Sequence, residues 1–310
     1  MASSLREDAI FLKGRGFMRV AVIDLGSNAV RMSIADVKDG KIEILKRYRE
    51  NVRLSENLNC DMMLKPAPVA RTLDALRLFK NYADSFNTEK IVAVATAAMR
   101  MAKNKEEITK PLLEMGISLN IIDGLEEARY DFLGVMYTLA VNSCVIMDIG
   151  GASTEIIAVC DGEIKGMISM PFGAVSITEN YIKNYDETDC TEKAYLYLKE
   201  EFKKLDFLNN VKGVPVVALG GTASVVAKID GGKDEDSYRL TANRTKEIIN
   251  YVNNMPLQNI LKNVIIEKKR ADIIKGGFTI AKALIECVNS KEIFVNRSGL
   301  REGILYELAR

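Results

Sequence analysis

Three short segments of this sequence join glycine to hydroxyl side chains directly after an apolar run. They are Asp24-Leu25-Gly26-Ser27-Asn28, Asp148-Ile149-Gly150-Gly151-Ala152-Ser153-Thr154-Glu155 and Leu219-Gly220-Gly221-Thr222-Ala223-Ser224. Glycine lets backbone approach a ligand closely and take up positive φ. Successive N–H groups in such a turn form an anion-binding nest, and Ser and Thr hydroxyls add donors. In the first two segments an aspartate ends the apolar run, placed to hold a metal that neutralises phosphate charge. One such turn alone reads as an ordinary hairpin or strand-to-helix connection. Two Asp-(Leu/Ile)-Gly turns and a Gly-Gly-Thr turn in one chain point jointly to phosphate chemistry.

The sequence contains no histidine. That removes Ser-His-Asp and Cys-His pairs and the usual histidine-bearing zinc sites. A general base must then be a carboxylate, or failing that Lys, Tyr or Cys. A metal would be a hard, oxygen-preferring ion such as Mg²⁺. The five cysteines are widely spaced with no CxxC pair, which fits a reduced, cytoplasmic setting. The net charge of +1 supplies no bulk field for nucleic acid. A polyanion would need local cations. Arg47, Arg49 and Arg53, and Lys268, Lys269, Arg270 and Lys275, are candidates, although a solvated face is the plainer reading for most of them. The longest apolar runs are too short to span a bilayer, and the N-terminus does not read as a signal peptide.

The elements that must position these turns follow from periodicity. At 310 residues the chain suits two domains. Val20 to Asp24, Val30 to Val37 and Ile42 to Tyr48 read as strands, with an Asp39-Gly40 hairpin between the second and third. Val145 to Asp148, Glu155 to Cys160 and Glu163 to Met170 repeat that unit, with Asp161-Gly162 as the hairpin. The repeat suggests duplicated domains. Val69 to Phe86 has helical spacing, Ile91 to Ala95 and Leu119 to Ile122 read as strands, and Glu126 to Ala140 reads as a helix. Later helices are expected near 190–205, 243–253, 270–288 and 300–308, with one clear strand, Val214 to Leu219. Asp123 and Glu126 have capping-box spacing, which gives Glu126 a structural task and leaves Glu127 the freer carboxylate.

The three turns resemble those of the actin, hexokinase and heat-shock ATPase superfamily. The resemblance extends to the exopolyphosphatase/guanosine pentaphosphate phosphohydrolase family. It is carried by AVIDLGSNAVRMSIADV (Ala21 to Val37), VATAAMRMAKN (Val94 to Asn104), DGLEEARYDFLGV (Asp123 to Val135), VIMDIGGASTEI (Val145 to Ile156), ALGGTAS (Ala218 to Ser224) and SGLREGILYE (Ser298 to Glu307). These blocks run in the family's order over nearly the whole chain. The resemblance implies an α/β fold of two actin-like (ribonuclease H-like) domains with a cleft between them. The expected boundaries are 18–134 plus 298–310, and 135–297, with 1–17 an N-terminal extension.

The resemblance also implies roles. Glu127 would orient or deprotonate the attacking water. Asp148 and Glu155 would hold a metal, Mg²⁺ or another hard divalent cation, with Asp24 the equivalent carboxylate of the first domain. Ser27, Asn28, Gly150, Gly151, Ala152 and Ser153 would cradle phosphates, Arg100 would neutralise the chain, Gly221 and Thr222 would line the third loop, and Arg270 would add a cation. The substrate would be polyphosphate, guanosine pentaphosphate or both, with neither nucleic acid nor membrane as partner. A homodimer is compatible with the resemblance. Two departures stand out. Ala152 replaces a usual third glycine, which matters if positive φ is needed there. The chain also stops after the two actin-like domains, where longer relatives carry a further helical one. An ATP-dependent small-molecule kinase and a non-catalytic phosphate or alarmone sensor remain as alternatives.

Overall fold

The computed structural model describes residues 16–58, 61–187, 189–233 and 236–310; the expected extension up to residue 15, and Cys60, lie outside them. The chain divides into two compact units. One is the described part of Met1–Asp123 with Leu300–Arg310, and the other is Gly124–Gly299.

The first unit opens with an antiparallel meander of β1 (Met18–Leu25), β2 (Ala29–Lys38) and β3 (Lys41–Asn51). Asp39 and Gly40 turn the second hairpin with φ of 47° and 75°, the paired positive values that favour Asp-Gly. Next come α1 (Pro66–Ser85), β4 (Lys90–Ala95), α2 (Ala97–Met101), α3 (Glu106–Glu114) and β5 (Leu119–Ile121). The sheet order is β3-β2-β1-β4-β5, with β4 parallel to both β1 and β5. Ala21, Ile23, Met32 and Ile34 bury one face with Leu76 and Phe79 of α1. The terminal helix Leu300–Ala309 packs on the other face of β1, β2 and β3. Coverage on both sides explains why β1 reads as a continuous apolar run rather than an alternation.

The second unit repeats the plan. It contains α4 (Gly124–Thr138), β6 (Cys144–Ile149), β7 (Thr154–Cys160), β8 (Glu163–Met170), α5 (Ala174–Tyr181), α6 (Glu192–Lys203), β9 (Val216–Leu219), α7 (Gly220–Ile229), β10 (Ser237–Thr241), α8 (Ala242–Asn253), α9 (Leu257–Lys262), α10 (Ile274–Val288) and β11 (Glu292–Asn296); α11 is the terminal helix (Leu300–Ala309). The sheet order is β10-β11-β9-β6-β7-β8. Asp161 and Gly162 turn the β7–β8 hairpin with φ of 53° and 77°. Both meanders shift register at the same offset from their aspartate, between Ile34 and Ala35 and between Ala158 and Val159. Strands β10 and β11 go beyond the one late strand expected. β10 is short and half-exposed, and β11 has five residues, so neither offers a strong periodic signal.

The units divide at Asp123/Gly124 and Gly299/Leu300, not at 134/135 and 297/298. Helix α4 stays whole because its buried stripe, Ala128, Asp131, Gly134 and Val135, belongs to one element packed on β6, β7 and β8. Among the described residues no helix is long and apolar enough to cross a membrane, and the four described cysteines are free.

Candidate functional site

In the second unit the expected site residues gather at one end of the sheet. Asp148 lies near the carboxyl end of β6, and Leu219 at that of its parallel neighbour β9. Ligands of open α/β sheets bind outside such ends. Asp148 pairs across the ladder with Glu155, and Glu155 with Ser169 on β8. The Ser169 hydroxyl donates to Glu155 Oε1 at 2.7 Å, and Glu155 is 1% exposed. Alternation puts Asp148 on the face of β6 that carries Cys144 and Ile146, and these pack with Ala128 and Val135 of α4. Only residues 139–143 connect α4 to β6, and both elements are about 20 Å long, so α4 runs back along the strand. Its first turn therefore lies at the Asp148 end. Glu127, buried in that turn, shares a face and an end of the sheet with Asp148 and Glu155. Asp123 immediately precedes α4, and Glu126 is the helix's third residue, the spacing of a capping box.

The second glycine turn is held from behind. Gly150 N–H donates to Ser153 O at 3.0 Å. The carbonyls of Gly150 and Gly151 accept from the N–H groups of Ala174, Val175 and Ser176, in the first turn of α5. A Cβ on Gly173 would stand 2.6 Å from Gly150 O, so only glycine permits this approach. With its carbonyls engaged, the loop keeps the N–H groups of Gly151, Ala152 and Ser153 without an acceptor among the described residues. That is the polarity an anion requires. Ala152 lies outside the left-handed region, so the backbone accommodates alanine here.

The third turn starts α7. Gly220 has φ of 79°, and a Cβ there would lie 2.5 Å from Asp148 Oδ1. The turn and the strand-end carboxylate are thus in direct contact. The Arg270 guanidinium lies against Gly221 in the space a side chain would need. Arg270 is 6% exposed, with Glu267 at 3.8 Å. Thr222 is buried. Lys275, expected as a surface cation, is 1% exposed and donates to Tyr185 O at 2.7 Å, over the Tyr185 ring. It ties the segment after α5 to α10.

The first unit places its expected residues at the equivalent end of its own sheet. Gly26 N–H donates to Ala29 O at 3.1 Å, the same turn as at Gly150. The carbonyls of Ser27 and Asn28 accept from Ser55, and from Val52 and Arg53. Arg100, on α2 after β4, donates to Ile122 O at 3.1 Å. Asp24 differs from Asp148. Its cross-strand partner is Arg31, which donates to Asp24 Oδ2 at 3.1 Å. Asp24 thus faces an arginine across its ladder where Asp148 faces a glutamate. No three Asp, Glu or Cys side chains converge as a metal group among the described residues.

The sequence reading passed over Ser169, Arg31, Arg301 and Glu302. Ser169 needed the β7–β8 register. The others had a signal: Gly-Leu-Glu-Glu at Gly124–Glu127 and Gly-Leu-Arg-Glu at Gly299–Glu302. The structure makes these equivalent. Helix α11 covers the Asp24 face of its sheet as α4 covers the Asp148 face. Glu302, 2% exposed, lies 3.4 Å from both Ser33 Oγ and Arg47 Nε.

The chain is similar to known proteins in sequence and in fold. The sequence profile of the Ppx/GppA phosphatase family matches residues 33–310. A putative exopolyphosphatase of Haemophilus influenzae is 26% identical, aligning 96% of this chain with 94% of its own length. A guanosine-5'-triphosphate,3'-diphosphate pyrophosphatase of Pseudoalteromonas atlantica is 30% identical over 92% of this chain, which spans only 58% of that longer protein. The solved Ppx/GppA family member of Aquifex aeolicus is 30% identical with a TM-score of 0.79, covering 94% of this chain and 98% of that one. With two actin-like α/β units whose glycine turns lie at the carboxyl ends of parallel strands, the chain belongs to the Ppx/GppA phosphatase family.

Proposed function

We propose that the chain hydrolyses the terminal phosphoanhydride of inorganic polyphosphate, guanosine pentaphosphate or both. The observation that carries this reading is Glu127 on the same face and end of one sheet as Asp148 and Glu155, beside a loop of available N–H groups. In this reading Glu127 takes the proton of a water attacking the end phosphorus in line. The N–H groups of Gly151, Ala152 and Ser153 and the first turn of α7 receive charge on the transferring group. Arg270 binds phosphate beside this loop, and Ser27, Asn28 and Arg100 are the first unit's own candidate phosphate ligands.

Two carboxylates facing each other across a ladder repel, and a cation relieves this. Mg²⁺ commonly takes one or two carboxylates and completes its shell with water and phosphate oxygens, so Asp148 and Glu155 fit it. When bound it would neutralise charge on the phosphates. The names of the two curated relatives span both substrates, and so does this proposal.

Phosphate release from polyphosphate, guanosine pentaphosphate and ATP with Mg²⁺ tests it. Glu127→Gln is expected to slow release by about 100-fold or more. A rate within a few-fold of the unsubstituted chain would remove Glu127 from the chemistry. No release from either phosphate chain by that unsubstituted protein would sink the proposal.

A further inference from the structure

In the second unit, the segment between α5 and α6 is fastened to the start of α10 by a tyrosine, a lysine and a cysteine. The Tyr185 hydroxyl donates to Ala271 O at 2.8 Å and accepts from the Lys275 backbone N–H at 3.1 Å. Lys275, 1% exposed, donates through Nζ to Tyr185 O at 2.7 Å and to Cys190 Sγ at 3.5 Å. The Cys190 thiol turns to the same carbonyl, with Sγ 3.7 Å from Tyr185 O. Nζ and Sγ are thus neighbours held by a shared acceptor.

Sulfur is a poor partner for this ammonium. Among the described residues no carboxylate lies within ion-pair distance of Lys275 Nζ. A buried charge is ordinarily met by an opposite charge or by strong acceptors, and a thiol sulfur accepts only weakly. Serine or aspartate at position 190 would serve the charge better, so hydrogen bonding alone does not account for a cysteine there. Its reactivity does. Cys190 is only partly buried, so a small oxidant reaches it. A partly exposed thiol beside a lysine is the setting in which cysteines react. The other described cysteines lack a buried amine: Cys144 is itself buried, Cys160 Sγ lies 3.7 Å from Asp161, and Cys287 Sγ lies 3.9 Å from the exposed ammonium of Lys212.

We propose that Lys275 and Cys190 form a sulfenamide crosslink, made by hydrogen peroxide and undone by thiols. Peroxide transfers one oxygen to Sγ, giving a sulfenic acid, and its other oxygen leaves as water. Lys275 Nζ then attacks the sulfur. The S–O bond breaks and an S–N bond forms. The hydroxyl departs as water with one lysine proton, and a second proton goes to solvent. Sulfur is oxidised by two electrons, and the peroxide is reduced to two waters. Two equivalents of an external thiol return the amine and the Cys190 thiol and end as a disulfide. The bond locks the loop after α5 to the segment that follows Arg270, whose guanidinium lies against Gly221.

The test is peptide mass analysis of the folded full chain after treatment with hydrogen peroxide and digestion with trypsin. A linked pair of Asn184–Lys193 and Ala271–Lys282 is expected, two hydrogens lighter than the two peptides together, because trypsin does not cleave after a modified Lys275. Dithiothreitol should release both peptides and restore cleavage at Lys275. Cys190→Ser should abolish the pair. Lys275→Met should abolish it too and leave Cys190 as a sulfenic acid that dimedone traps. If thermal unfolding shows that Lys275→Met does not fold, the linked mass in the unsubstituted chain decides alone, since its fragments name both residues. A Cys190 that stays reduced, or ends as a sulfinic acid with no link to Lys275, overturns the proposal. So does a link that carries an added oxygen or that dithiothreitol does not reverse.

Discussion

The two meanders have the same backbone and opposite charge. Their glycine turns close with nearly the same bond, Gly26 N–H to Ala29 O at 3.1 Å and Gly150 N–H to Ser153 O at 3.0 Å. Both turns have their carbonyls tied down by the chain segment that follows the third strand. Both sheets shift register at the same offset. What differs is one cross-strand position, Arg31 against Glu155, and one helix position, Arg301 against Glu126. Loop geometry is set by backbone hydrogen bonds, so side chains can diverge without disturbing it. One ladder sets a carboxylate against a carboxylate, the other a carboxylate against an arginine. The duplicated frame therefore offers two different electrostatic sites.

The comparison breaks most sharply at its aspartates. Asp148→Asn and Glu155→Gln should each lower phosphate release by about 100-fold or more, the scale of losing an electrostatic partner at a reacting centre. Asp24→Asn should cost less than about tenfold in rate but destabilise the protein by roughly 1–3 kcal/mol, because the charge-assisted bond from Arg31 to Asp24 is weakened. Denaturant unfolding beside steady-state rates measures both. Equal rate losses at Asp24 and Asp148 would end the claim that the two sites differ in kind.

A smaller effect is expected at Gly220. Gly220→Ala strains a position at φ of 79° and pushes on Asp148 Oδ1. Activity should fall about tenfold or more, with a stability loss of roughly 1–2 kcal/mol from the strained backbone. Full activity in Gly220→Ala would show that the Asp148 position tolerates displacement. The smallest effect belongs to Ala152→Gly. Since Ala152 needs no positive φ, the substitution should leave the rate within a few-fold and cost roughly 0.5–1 kcal/mol in chain entropy. A large gain in rate would mean that the loop must pass through a conformation alanine forbids.

Much of the fold was legible because its signals are local. The six meander strands, their Asp-Gly hairpins and α4 each follow from residues within a short window. Strands β10 and β11 were missed because five residues at a sheet's edge region carry little periodicity. The division at Asp123/Gly124 was missed because a helix's allegiance depends on what its buried stripe packs against. At the site, the glycine turns were visible as motifs, while Ser169 became relevant only through the β7–β8 register. Lys275 read as one more surface cation, yet its ammonium is buried beneath Tyr185.

The sequence by itself determined the vocabulary of this protein: three glycine-rich turns, carboxylates with no histidine beside them, and a duplicated frame. Those follow from residue type and short spacing. Only the tertiary structure decided which carboxylates stand together and which face an arginine. Glu302 meets Ser33 and Arg47 across 269 and 255 residues of sequence, and Arg31 reaches Asp24 only through the strand register. Charge acts through space, so whether a carboxylate is matched is settled when distant segments pack, not by its neighbours along the chain.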